Sequence, residues 1–433
     1  MSAPVDAAPP RSLLRDRNMA VLFAGETVSE LGSTMTFLVF PLIAIGLDAS
    51  PFMIGVIAAA TNAAWLVVAL PAGAWVDRVR RRPILIATDI GSALLLASVP
   101  VAAAWHLLTV TQLAITGFLV GALSVTFDVA YPAFLPSVVP PGRLVDGNGL
   151  MEAGANAAQV AGPSLGGVLV QVVGAPVTLL ADAVSFLVSA SALATIRVPE
   201  THASSAASAE RGPRPSLRAD IATGLRYVVH GSSLRALVTS VAVANFIFGG
   251  YAAVVLVFYA RQLGLPAAVI GVIVAVAGIG GIVGSLGAGP LARRVGDARL
   301  LWMSTIVTTP LLLLVPLGRP GGWLALPVIG VMGANAAIAA FNVCVRAALQ
   351  RNVPPALLGR VTASIRVFSR GALPLGALVG GAIASAATPR IALFAMLACF
   401  VAVPILVWRS PISRARTLTD LAIPATPTAP ATV

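Results

Sequence analysis

Long apolar runs broken by short polar or charged junctions recur along the whole chain. A bilayer-crossing helix needs about 20 mostly apolar residues. Twelve runs meet that length, near residues 18–46, 53–76, 83–104, 109–131, 148–173, 176–196, 237–260, 267–291, 300–317, 322–345, 362–386 and 390–408. Barrel strands would alternate in polarity and be half as long, so the pattern predicts an all-α membrane protein with twelve transmembrane helices. The leader before the first run carries Arg11, Arg15 and Arg17 and lacks a small-residue cleavage site, so that run is expected to be a retained span.

The pattern is also doubled. The charged junction from Gly73 to Pro83 returns 214 residues later at Gly287–Arg294. Pro51 with Ile54-Gly55 is answered by Pro266 with Ile270-Gly271, and Val139-Pro140-Pro141 by Val353-Pro354-Pro355. Gly162 with Gly166-Gly167 is answered by Gly376 with Gly380-Gly381. Such repeats build secondary transporters from two pseudo-symmetric six-helix halves. The expected organisation is a leader (1–17), a first half (18–197), a central loop (198–236), a second half (237–409) and a tail (410–433). Within the loop, Leu217, Ile221, Leu225, Val228 and Val229 have the spacing of an amphipathic helix lying on a membrane surface; a partly ordered linker is the alternative.

Composition agrees: 58% of residues are hydrophobic and 10% charged, against about a quarter charged in soluble domains. Mean hydropathy is +0.93, which excludes a water-soluble globule. The net charge of +12 comes from 28 arginines and no lysine. With the N-terminus inside, only Arg261, Arg319 and Arg390 fall on outer connections. This is a positive-inside bias, so the basic charge is a topology signal and not a nucleic-acid footprint, and both termini are expected in the cytoplasm. Cys344 and Cys399 fall in spans, and neither a disulfide framework, a metal site nor a cofactor is implied. There is no Gly-x-x-x-x-Gly-Lys-Ser/Thr loop for nucleotide. His106, His202 and His230 lie outside the core with no convergent nucleophile–base set, so no enzyme is expected.

The hairpin carrying Gly73, Asp77, Arg78, Arg81 and Arg82 resembles the Gly-x-x-x-Asp-Arg-x-Gly-Arg-Arg signature of the major facilitator superfamily, with Arg80 in place of its second glycine. Gly162-Pro163-Ser164-Leu165-Gly166-Gly167 resembles that superfamily's exporter motif. The stretch from Phe127-Asp128 to Pro140, followed by Asn148, Glu152 and Gln159–Pro163, is similar to the enterobactin-exporter-like and macrolide-efflux-like branch. The resemblance covers nearly all of residues 12–409. It implies that Gly73, Asp77, Arg78, Arg81, Arg82, Asp89 and Asp128 govern a cytoplasmic gate, with Asp77 capping span 11 and Arg78 or Arg81 meeting Asp128. Arg366, one turn before Arg370 on span 11, is assigned to the same gate from its position. Spans 1, 4, 7 and 10 would line a central cavity, giving Ser33, Thr34, Asn245, Phe246, Tyr251, Asn335 and Asn342 as substrate contacts.

Ionisable groups inside spans are costly and mark function. Glu26 and Glu30 lie one turn apart on span 1, with Glu30 about 18 Å along it. Two neighbouring carboxylates in low dielectric resist ionising together, as proton coupling requires; the alternative is a pair held by arginines for structure alone. Arg370 on span 11 is a candidate for binding an acidic substrate or neutralising a glutamate. The sequence therefore reads as a monomeric secondary transporter of the cell membrane, a proton-coupled antiporter exporting a lipophilic drug-like or siderophore-like molecule. An importer, or a non-transporting sensor on the same fold, is the alternative.

Overall fold

The computed structural model describes residues 13–76, 78–140, 142–196, 198, 232–352 and 355–417. Each apolar run becomes a helix. The first half contains α1 (Arg17–Gly46), α2 (Pro51–Val76), α3 (Arg81–Ala104), α4 (Val110–Val138), α5 (Leu144–Val173) and α6 (Ala175–Thr195). The second contains α7 (Ser232–Val257, extended by a π-turn Phe258–Gln262), α8 (Ala267–Val295), α9 (Asp297–Leu313), α10 (Ala325–Asn352) and α11 (Pro355–Ala386). The last helix, α12, runs Pro389–Ala398, passes through a 3-10 turn and resumes as Ala402–Trp408. Side-chain caps start several helices: Asp16 accepts from Met19 N at 3.0 Å, and Thr109 from Gln112 N at 3.1 Å.

Ten of these helices have the length and apolarity to cross a bilayer by themselves. The other two are α5 and α11, which trade leucine for glycine, alanine and charge. They are not lipid-facing elements of the ordinary kind: α5 packs on α1 and on α8, and α11 packs on α7 and on α2. Both pairings across the halves rest on glycine. A Cβ on Gly55 would lie 2.6 Å from the Ala377 carbonyl, and one on Gly271 would overlap the Pro163 carbonyl. Removing side chains lets backbones approach where lipid supplies no hydrophobic drive. The large apolar side chains point outward instead, with Leu94, Val172 and Leu286 about 70% exposed, while Ser, Thr and Asp occupy many inward positions.

Call the end of the bundle bearing the 78–80 hairpin the arginine end. Arg143, Arg293, Arg294, Arg299 and Arg351 border the other connections there. The three arginines at the far end are all engaged. Arg261 donates to Ile45 O at 3.1 Å, Arg390 to Gly318 O at 2.8 Å, and Arg319 lies over Trp323.

The hydrophobic core is divided along this axis. At the far end, residues of both halves share clusters: Leu38 and Ala59 pack with the core of the second half, and Val257 with that of the first. At the arginine end, one cluster holds only first-half residues (Leu13 to Ile196) and another only second-half residues (Leu237 to Ile412). The Phe52 amide donates to Ser385 Oγ at 2.8 Å across the far end. Among the described residues the halves are closed together at the far end and separate at the arginine end.

Several helices outrun the spans read from hydropathy. α4 continues through Pro132 and Pro136 to Val138, not stopping near residue 131, and α11 begins at Pro355 and not near 362. The extension of α4 is apolar too, with Phe134, Leu135 and Val138 buried, and its two prolines do not end the helix. The 78–80 hairpin uses no left-handed residue among those described: Arg78 N bonds Trp75 O, and Arg80 is extended (φ −60°, ψ 133°), which arginine adopts without strain. The amphipathic helix expected within 217–234 falls on residues outside the described set, apart from its last turn, which belongs to α7.

Candidate functional site

α1, α3, α4 and α5 each turn at least one carboxylate into a single cavity of about 470 Å³ inside the first half. Glu26 and Glu30 come from α1, Asp89 from α3, Asp128 from α4 and Glu152 from α5. The i, i+4 spacing puts the two glutamates on one helix face. Asp89 is 2% exposed, whereas Glu26 and Glu30 are half-buried. Ser189 of α6 faces both Glu26 and Asp89. Glu26 Oε1 and Asp89 Oδ2 are shielded from solvent and accept no hydrogen bond among the described residues. Neither Glu26 nor Glu30 meets an arginine among those residues. A carboxylate in such surroundings either finds a cation or holds a proton.

Asp89 and Asp128, which the superfamily resemblance attached to the gate, thus join the α1 glutamates at one site. Glu152 enters the site from a helix whose glycines had drawn attention instead. Its own signal was a carboxylate two turns into an intramembrane helix. Ser33 lines this cavity, but Thr34 does not. The Thr34 hydroxyl sits within bonding distance of the Glu30, Leu31 and Ala158 carbonyls (2.9–3.1 Å), pinning α1 to α5 beside Gly162.

The second half holds its own cavity, of about 260 Å³, between α7, α9, α10 and α12. Asn245, Tyr251, Asn335 and Asn342 line it; Phe246 and Arg370 do not. The Phe246 backbone packs against Gly376 of α11, and the Arg370 guanidinium lies 5.0 Å from the Trp65 ring across the α2–α11 seam. The two cavities correspond through the chain repeat, at offsets of 214 to 216 residues. Glu26 matches Val241, Glu30 matches Asn245, Asp89 matches Thr305 and Asp128 matches Asn342. These four acids of one half are neutral residues in the other, whereas Glu152 matches Arg366.

Of the gate residues, Arg82 donates Nε to Leu193 O at 2.7 Å and Nη2 to Ala194 O, tying the start of α3 to the end of α6. Arg78 is exposed, Arg81 half-buried, and Gly73 has open space where a Cβ would stand. Asp77 lies outside the described residues, as does the side chain of Arg366 on α11. The exporter-motif residues of α5 face two partners. Gly162 and Gly166 lie against Thr34 and Met35 of α1, and Pro163 and Gly167 against Gly271 and Ala267 of α8.

Twelve helices in two repeats, closed at one end around paired intramembrane cavities, define a secondary transporter. The Major Facilitator Superfamily profile matches residues 22–376 and 241–430, and the chain belongs to that family. It is 28% identical over 377 residues to the multidrug efflux pump Tap of Mycolicibacterium fortuitum, covering 85% of this chain and 89% of that one. It is 29% identical over 380 residues to Tap of Mycobacterium tuberculosis H37Rv, covering 85% and 87%. Among solved structures, a bacterial homologue of the human lysosomal transporter Spinster, inward-facing and occupied, superposes with a TM-score of 0.73 at 16% identity, covering 97% of this chain and 100% of that one. A bacterial homologue of ferroportin, inward-facing, gives 0.71 at 16% identity, covering 94% and 100%. Family and relatives are transporters and not enzymes.

Proposed function

We propose that the protein exports lipophilic drug-like or siderophore-like molecules in exchange for protons, working as a monomer by alternating access. The observation that carries this reading is the convergence of Glu26, Glu30, Asp89, Asp128 and Glu152 on one cavity, with Glu26 and Glu30 free of arginine partners among the described residues. Protons enter from the far side, occupy this cluster, and leave at the arginine end as the halves rock. The names of the Tap relatives support export of several drug-like compounds.

The arginine end faces the cytoplasm, in keeping with the positive-inside bias. The conformation described above is then open inward. The two halves, 18–197 and 237–409, move about the glycine seams of α2–α11 and α5–α8. In the outward-open state the hairpin residues Gly73, Asp77, Arg78, Arg81 and Arg82, together with Arg366, hold the cytoplasmic end shut. The second-half cavity sets a few polar groups among mostly apolar walls, which suits a lipophilic cargo and not a sugar, whose hydroxyls need many partners.

The test uses inside-out vesicles containing the full chain, with ethidium as the transported dye. Acidifying the vesicle interior is expected to drive dye uptake, and an uncoupler to abolish it. Glu30→Gln is expected to lose the acid-driven uptake. Undiminished proton-driven uptake by that variant would remove the proposed coupling site.

A further inference from the structure

The repeat that matches the acidic cavity to the neutral one extends to its aromatic walls. Phe127 corresponds to Phe341 and Phe186 to Phe400, each lining its own cavity. The second cavity therefore keeps the aromatic frame of the first while Glu26, Glu30, Asp89 and Asp128 give way to neutral residues. Glu152 corresponds to Arg366, whose side chain lies outside the described residues. Among the described residues, no ionisable acid or base lines it apart from the Tyr251 phenol. A charged ligand entering it would leave water without a counter-charge, which is costly.

What the neutral cavity offers can be counted from its hydrogen bonds. Both amide hydrogens of Asn245 are committed inside the bundle, to Val241 O at 2.8 Å and to Ser369 Oγ at 2.9 Å. Asn335 gives one hydrogen to Val331 O at 2.8 Å. The Thr305 and Thr308 hydroxyls donate to Trp302 O and Ser304 O, both at 2.7 Å. The side-chain carbonyls of Asn245 and Asn335 and the lone pairs of the two threonines accept nothing among the described residues. One N–H of Asn335 and the whole amide of Asn342 are also uncommitted among the described residues. Three amide carbonyls and two hydroxyl oxygens thus face three N–H groups, and the balance left for a ligand leans to the acceptor side, between Phe248, Tyr251, Phe341 and Phe400. A volume of about 260 Å³ sits just below the roughly 300 Å³ where drug-sized pockets begin, so it holds one end of a larger molecule.

We propose that the second-half cavity is a recognition site for an uncharged aromatic group carrying a hydrogen-bond donor, an O–H or N–H. This deepens the exporter reading, on which it rests, by assigning proton handling to one half and cargo recognition to the other. Stacking and edge contacts with the phenyl rings supply the aromatic preference, and the asparagine carbonyls select the donor.

The experiment compares 1-naphthol with 1-methoxynaphthalene, the same ring without the donor, binding to the full-length protein in lipid nanodiscs and corrected for partition into empty nanodiscs. The expected result is saturable binding of one naphthol, with the ether about tenfold weaker. Asn335→Leu and Thr308→Val, each checked for folding by gel filtration, are expected to reduce that discrimination. Equal affinity for naphthol and its ether in the unaltered protein overturns the proposal without need of any variant. Unchanged discrimination in both folded variants overturns the site. Glu30→Gln separates the two readings. Loss of proton-driven transport with naphthol discrimination intact supports the division between halves, and loss of discrimination in that folded variant counts against it.

Discussion

The Thr36 hydroxyl donates to a carboxylate oxygen of Asp182, fastening α1 to α6 on the far side of Glu30. Asp182 is 1% exposed, and Ser185 Oγ donates to its other oxygen at 3.0 Å. Gly32 makes room for this group, since a Cβ there would run into Ser185 and Asp182. Replacing Asp182 by Leu strands the Thr36 hydroxyl and fills the wrong space, while Ser185 Oγ keeps the backbone carbonyl of residue 182 at 2.8 Å. The expected cost is about 1–3 kcal/mol, read as a lower melting temperature in detergent, with Asp182→Asn milder. An unchanged melting temperature for the leucine variant would refute the clamp.

Coupling is expected to fail differently from binding. Glu30→Gln and Asp128→Asn should each cut uphill dye transport by tenfold or more while downhill exchange of the same dye continues. Two-stage vesicle assays, first with and then without a proton gradient, make the distinction. Parallel loss in both modes would indicate a folding or cargo defect.

Closure at the far end brings Phe52 and Ser385 together across the halves. With Cys344 and Cys399 replaced by alanine, Phe52→Cys and Ser385→Cys are expected to cross-link on oxidation and to stop transport until reduced. Free transport by the fully cross-linked protein would mean that this end need not open.

The α5–α8 seam tolerates no side chain at Gly271, whose missing Cβ would also sit 3.3 Å from Gly167 Cα. Gly271→Leu is expected to hold the far end apart and slow formation of that cross-link by about an order of magnitude. A normal cross-linking rate would show the seam to be slack.

Arg82 covers two of the carbonyls left open at the end of α6. Arg82→Ala is expected to lower stability by about 1 kcal/mol, with partial recovery in Arg82→Lys, as followed by thermal unfolding. Equal stability of all three proteins would speak for a purely topological arginine.

Helix number, order and the doubled plan were legible in the sequence because lipid imposes a simple rule on each apolar run. The ends of α4 and α11 were not: α4 runs on through Pro132 and Pro136, its Phe134, Leu135 and Val138 buried by tertiary packing, and α11 starts at Pro355, ahead of the run read from hydropathy. At the site, Glu26 and Glu30 could be paired from their spacing. Their meeting with Asp89, Asp128 and Glu152 could not, because that depends on how four helices pack. Assigning chosen residues of spans 1 and 7 to a cavity failed to foresee Thr34, which is consumed by backbone carbonyls of α1 and α5, and Phe246, whose backbone serves the α7–α11 contact. Arg370 showed only as a costly charge; its perch on Trp65 belongs to the seam between helices 305 residues apart.

Matching compartments that differ in charge have a consequence for how such a pump changes over generations. Under the division proposed here, replacements around Asn335 and Phe400 alter what is carried without touching the acids that supply the drive. A lineage under pressure from a new toxin could then retune one chamber by single steps and keep its engine running throughout.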